Sequence, residues 1–366
     1  MRLKRTLRSV GSGALILAVC VLGLVGPVIF WVFVKDIGGD RIERLAPVPP
    51  ITLPAAQSVY VALGDSYSSG EGVRPFTRGT DDPAQGGDGC HRSEDAYPLQ
   101  IVFTNEVQRR FRACSGARLD DMYSRQQTDG GGNRLGAQLA PGVLGPEVGL
   151  VTVTIGGNDL GFADVLSHCA THAHCMEDTF DDSFDDGDKS GLSLRDWAER
   201  KLREVVARTS ELLRRVRRDA PNARILVLGY PNLFWTSWPD VQAKDCILQL
   251  VFGQQEVNPL LDLQYRFSSS VAQVASRADA DFIWTAPIFD GHEPCAAITP
   301  RWMDFVPLGD LGAGHPKLDP GAMHPNRNGH YILSRVISCY LAENPRVTAR
   351  YNATALKACA RYGRHG

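Results

Sequence analysis

Five short apolar runs constrain this sequence more than any other feature: residues 59–63, 111–114, 150–155, 225–228 and 282–284. Each is rich in β-forming residues and mostly lacks the polar alternation of a half-exposed strand. Strands buried on both faces of a parallel sheet read this way. Between the third and fourth runs, Leu194, Trp197, Leu202, Val205, Val206, Leu212, Leu213 and Val216 recur at helical spacing over residues 194–218. Ser193 is placed to cap that helix, and Asp219-Ala220-Pro221-Asn222 to end it. Two more helices are predicted over residues 257–278 and 328–341. Strands that alternate with helices imply an α/β fold, a three-layer doubly wound (flavodoxin-like) sheet of about five parallel strands. Residues 58–366 read as one domain, without an internal repeat.

The N-terminus stands apart. Arg2, Lys4, Arg5 and Arg8 precede an uncharged stretch, residues 9–34, closed by Lys35 and Asp36. Its length is nearer the roughly 20 residues of a membrane-spanning helix than the ~7–15 of a signal-peptide core. The expectation is a cytoplasmic basic tip and transmembrane signal-anchor over residues 1–36, with the rest of the chain outside the cytoplasm. The alternative is secretion after cleavage of a long signal peptide. Residues 37–57, with Pro47, Pro49, Pro50 and Pro54, read as a stiff linker. The chain holds 39 Lys/Arg, five of them within residues 1–35, against 41 Asp/Glu, so the remainder carries a net −7. That balance excludes a basic nucleic-acid-binding surface as the main business of the chain.

Of nine cysteines, Cys20 lies in the membrane stretch and the other eight form an even set, which reads as disulfides in an oxidising compartment. Pairing neighbours in chain order gives Cys90–Cys114, Cys169–Cys175, Cys246–Cys295 and Cys339–Cys359. The cluster His168, Cys169, His172, His174 and Cys175 has metal-like spacing, but it reads better as a small disulfide-closed loop with surface histidines. Residues 177–188 are acidic without being a calcium loop. Counting from Asp182, the third ligand position is Phe184 and the distal glutamate position is Ser193.

In an open parallel sheet, functional groups gather beyond the carboxyl ends of the strands. There this sequence places Gly64-Asp65-Ser66-Tyr67-Ser68-Ser69-Gly70-Glu71-Gly72, Ser115-Gly116 and Gly156-Gly157-Asn158-Asp159, with His324-Pro325-Asn326 beyond the last strand. Each alone is a turn or helix-entry signal. Together and in this order they resemble the SGNH/GDSL hydrolase family. The surrounding segments CHRSEDAYP, FRACSGA, GYP and GHEPC resemble its secreted actinobacterial esterase/lipase branch with paired cysteines.

The resemblance implies an SGNH hydrolase fold and a carboxylic ester hydrolase that needs no metal or other cofactor. It makes Ser66 the nucleophile, which requires an adjacent base, and His324 that base. It makes the backbone N–H groups of Ser66 and Gly116 and the Asn158 amide the oxyanion hole. Many family members carry aspartate three residues before the histidine; here Gly321 stands in that position. Either the Gly321 carbonyl orients His324, leaving a dyad, or Asp319 swings in to complete a triad. The substrate expected is a small-molecule or lipid ester, or an acylated glycan. A non-catalytic envelope binding module and an acyltransferase on the same fold are the competing readings. Phe234, Trp235, Trp238, Trp302 and Phe305 either line an acyl pocket or pack loops against the sheet.

Overall fold

The structure is a computed structural model. It describes residues 47–81, 83–123, 136–180, 191–234, 248, 252–294, 296, 301–304 and 321–343. The chain divides into a unit of residues 1–43 and a second of residues 44–366, and every described residue belongs to the second. The expected anchor therefore lies outside the described residues. Among the described residues no helix is long and apolar enough to cross a membrane.

Among the described residues five strands form the sheet: β1 (Val59–Gly64), β2 (Gln108–Phe111), β3 (Val148–Thr154), β4 (Arg224–Leu228) and β5 (Asp281–Ile283). All pairings are parallel, in the order β2-β1-β3-β4-β5. This is the flavodoxin-like order, and its direction reverses beside β1, where open α/β sheets bind ligands. Every residue of β1 and β3 is buried, as expected of central strands covered on both faces.

The helices are α1 (Ser66–Ser69), α2 (Tyr97–Gln100), α3 (Phe162–Thr171), α4 (Leu194–Asp219), α5 (Gln254–Arg277), α6 (Ala286–Phe289) and α7 (Arg327–Glu343). The long helices α4 and α5 pack on each other, and α2 packs on α7. Ser193 caps α4 by accepting from the Asp196 N–H at 3.2 Å. The apolar stripe of α4, including Trp197, Leu202, Val205 and Leu212, is buried as its spacing predicts. Of the aromatic residues left open by the sequence, Phe234 packs against Phe252 with ring centroids 5.1 Å apart, and Trp302 is buried against His292. Trp235, Trp238 and Phe305 lie outside the described residues.

Two boundaries differ from expectation. The second strand is Gln108–Phe111 rather than residues 111–114. Among the described residues it is an edge strand paired only with β1, so its polar residues Gln108, Arg109 and Arg110 need no burial. The buried Ala113 and Cys114 belong to the turn that follows. The described end of the proline-rich segment, read as a stiff linker, is packed on the domain. Ile51 and Leu53 are buried, and the Ile51 N–H donates to the Val102 carbonyl at 2.9 Å. Asn105 holds Leu53 through both its N–H and its carbonyl.

Cys90–Cys114 and Cys169–Cys175 are disulfide-bonded. Cys339 is disulfide-bonded to a residue outside the described set, and both Cys246 and Cys295 fall outside it. The Cys169–Cys175 bond consumes the two sulfurs of the histidine-rich cluster, which closes a small loop as expected.

Candidate active site

The end of β1 is fixed from three sides. Gln138, buried, accepts from the Gly64 N–H at 2.9 Å and donates to the Gly64 carbonyl at 2.7 Å. The Asp65 N–H donates to the Thr154 carbonyl of β3 at 2.9 Å. Asp65 then caps α1, accepting from the Tyr67 N–H at 3.0 Å. Ser66, the first residue of α1, is thereby set at the carboxyl edge of the sheet.

His324 reaches the same point from the other end of the chain. Its Nε2 lies 2.8 Å from Ser66 Oγ, and its Nδ1 lies 3.0 Å from the Ala322 carbonyl oxygen. A carbonyl can only accept, so Nδ1 carries the proton and Nε2 is left to accept from the serine hydroxyl. Among the described residues the carbonyl that meets Nδ1 is that of Ala322. The Gly321 carbonyl, expected in this role, instead accepts from the His324 N–H at 3.0 Å. A tight turn at Met323, with φ of +64°, brings the ring back onto the nearer carbonyl. Asp319 lies outside the described residues.

The histidine turn is braced by neighbours that the motifs do not advertise. Tyr67 donates its hydroxyl to the Met323 carbonyl at 2.7 Å, and its ring lies against His324 at 4.8 Å between centroids. Asp304 pairs with the turn through two backbone hydrogen bonds of 3.0 and 2.9 Å. Asn326 accepts from the Gly329 N–H at 3.1 Å and donates to the Arg301 carbonyl at 3.0 Å, so it starts α7 and ties down the strap before it.

Gly116 and Asn158 stand on the adjoining loops. Gly116 has φ of +73°, and a Cβ there would meet nothing within 4 Å, so its left-handed turn is presented to open space. Asn158 donates one amide hydrogen to the Ala117 carbonyl at 2.9 Å, which leaves its second hydrogen for another acceptor. Among the described residues no backbone carbonyl accepts the N–H of Ser66 or of Gly116. Asp159 links these two loops, receiving the Leu119 N–H on both oxygens at 3.1 and 3.0 Å, with Arg208 at 3.3 Å. Burial pushes the Asp159 carboxyl up to about 6 despite those donors.

Tyr230, in the GYP segment, joins nucleophile turn and Asn158 loop. It donates to Asp65 and accepts from the Gly157 N–H at 2.9 Å. Burial raises Asp65 to about 7, outweighing the hydrogen bonds from Tyr230 and Tyr67 that favour its anion. Asp65 is therefore a brace for the turn. His330, one turn into α7, is held down to about 3 by burial and then by the nearby His324, so it stays neutral.

The molecule is a flavodoxin-like α/β layer structure with Ser66 and His324 paired at the carboxyl edge of its sheet. The chain belongs to the GDSL-like Lipase/Acylhydrolase family, whose profile matches residues 62–332. It is 33% identical over 271 residues to Lipase 2 of Streptomyces coelicolor, covering 74% of this chain and 81% of the relative. Lipase 1 of the same organism is 30% identical over 266 residues, covering 72% and 82%. The crystal structure of phospholipase A1 from Streptomyces albidoflavus NA297 matches with a TM-score of 0.53 at 25% identity, covering 75% of this chain and 94% of that one. The extracellular lipase from Streptomyces rimosus matches equally well. The chain is a serine ester hydrolase acting on carboxylic esters.

Proposed function

We propose that Ser66 and His324 form the catalytic dyad, that the Ala322 carbonyl orients the imidazole, and that the substrates are lipid esters. The observation that carries the dyad is the 2.8 Å contact from Ser66 Oγ to a ring nitrogen whose partner nitrogen is already committed to a carbonyl. As Oγ bonds to the ester carbon, its proton passes to His324 Nε2 and the carbonyl π-electrons move onto oxygen. The N–H groups of Ser66 and Gly116 and the second amide hydrogen of Asn158 receive that oxyanion. The imidazolium then protonates the leaving alcohol, and water repeats the sequence to release the acid. The names lipase and phospholipase A1 carried by the relatives support the lipid assignment.

The disulfides and the relative named an extracellular lipase support a site outside the cytoplasm. Residues 9–34 would hold the enzyme on the membrane. One experiment tests dyad and placement together. Cells expressing the full chain are treated with a p-nitrophenyl alkylphosphonate, and the membrane pellet is digested for mass spectrometry. The expected adduct is on Ser66, in chains that sediment with the membranes and are unlabelled when His324 is alanine. Labelling at another residue, or none with an active enzyme, contradicts the dyad; labelled chains in the supernatant contradict the anchor.

A further inference from the structure

Three donors on three loops make up the proposed oxyanion site, and one phenol joins two of those loops. Tyr230 stands two residues beyond β4 and, in the order β1-β3-β4, reaches back across the end of β3. Its oxygen accepts the Gly157 N–H at 2.9 Å, and its single proton goes to the Asp65 carboxylate. Gly157 precedes Asn158, and Asp65 precedes Ser66. The phenol therefore ties the residue before one oxyanion donor to the residue before the nucleophile.

Both ends of Tyr230 are fixed in turn. Gln264 of α5, buried, donates to the carbonyls of Tyr230 and Pro231 at 3.2 and 2.8 Å. The ring meets Tyr67 edge-on at 4.9 Å and Phe267 at 6.0 Å between centroids. Position 157 has no room for a side chain on this side: a Cβ there would lie 3.0 Å from Tyr230 Cζ and 3.1 Å from its hydroxyl oxygen. Glycine at 157 is what lets the backbone N–H approach the phenol. Asp65 is buried and also receives the Tyr67 N–H at 3.0 Å, so its carboxylate is a fixed point within the cap of α1.

We infer that Tyr230 is a positioning residue for ester cleavage: its hydroxyl, bridging Asp65 and Gly157, sets the Asn158 amide in register with the Ser66 turn. The Ala117 carbonyl holds Asn158 on its other side at 2.9 Å, so the bridge fixes where the second amide hydrogen points. Donors already aimed at a developing oxyanion need no reorganisation as it forms, which is the source of their catalytic value. Without the hydroxyl, the Gly157 N–H loses its acceptor and the loop resettles. A misplacement of about 1 Å in such a site can cost ~10²-fold in rate. The proposal rests on the reading of Asn158 as an oxyanion donor and adds to it what aims that donor.

The test is a double-mutant cycle in kcat on p-nitrophenyl butyrate, run in the full chain with Tyr230→Phe, Asn158→Ala and the two combined. Tyr230→Phe removes one oxygen and keeps the ring that packs on Tyr67 and Phe267. It is expected to lower kcat by about 10–100-fold, with KM within about twofold of wild type. Asn158→Ala is expected to lower kcat by ~10²–10³-fold. The combined variant should fall little further, because a phenol that acts through Asn158 then has nothing left to aim. Losses that multiply, as they would if Tyr230 acted only through Asp65 on the Ser66 turn, overturn the proposal. So does a change in KM alone, or a wild-type kcat in folded Tyr230→Phe. Should that variant not fold, Gln264→Met takes its place in the same cycle, since it slackens the hold on the Tyr230 carbonyl. A smaller kcat loss that vanishes beside Asn158→Ala is then expected, and a multiplying loss again overturns the proposal. Failure of the underlying reading looks different: wild-type kcat in Asn158→Ala alone removes the oxyanion role of Asn158, and the proposal with it.

Discussion

His324 sets the residue scale, because everything about its chemistry depends on which ring nitrogen bears the proton. The Ala322 carbonyl, 3.0 Å from Nδ1, can only accept and so fixes that tautomer. Asp319→Asn is therefore expected to retain most of the wild-type kcat on short esters. A loss near the ~10⁴-fold of a true triad aspartate would contradict the dyad. The motifs around Ser66, His324, Gly116 and Asn158 were legible in the sequence because each follows a strand or precedes a helix, and the structure brings Ser66 and His324 together. Ala322 was not: its contribution is a backbone oxygen, and its side chain announces nothing. The same holds for Gln138 and Tyr67, whose hydrogen bonds join residues far apart in the chain. Tyr230 had a visible marker in the GYP segment, but its link between Asp65 and Gly157 exists only once β1, β3 and β4 lie side by side.

Among the elements, the central strands and long helices emerged almost where periodicity placed them. Burial on both faces leaves no alternation in β1 and β3, and a single apolar stripe marks α4. The edge strand β2 was displaced by three residues because half-exposed strands tolerate arginine and glutamine, so hydropathy points to the turn beyond them. The docked segment from Ile51 was missed for a related reason: prolines signal stiffness and say nothing about contact. Trp197 shows how much rests on one helix position. It is fully buried, packs edge-on against Phe180 at 4.6 Å, and fills the space beside Gly161, just past the Asn158 loop. Trp197→Ala should cost about 3–5 kcal/mol in urea unfolding, the range for deleting a buried large aromatic. A cost under about 1 kcal/mol would mean that α4 is not clamped to the core as described.

At the scale of the whole molecule, residues 66, 116, 158 and 324 occupy separate stretches of chain, yet the parallel strand order sets the loops after β1, β2 and β3 at one edge of the sheet, where His324 meets Ser66 and Asn158 meets Ala117. Two features serve that convergence. The Cys90–Cys114 bond ties the Gly116 loop to the segment of His91, whose ring meets Glu71 beyond the nucleophile turn, and Asp159 and Tyr230 tie the Asn158 loop to its neighbours on either side. Ester cleavage is proposed to run through Ser66. Steady-state hydrolysis of p-nitrophenyl butyrate by the full chain and by Ser66→Ala, compared at equal melting temperature, tests it most directly. A fall in kcat of at least ~10⁴-fold is expected, with a residue of activity from the oxyanion donors that remain. A Ser66→Ala rate within about tenfold of wild type would contradict it.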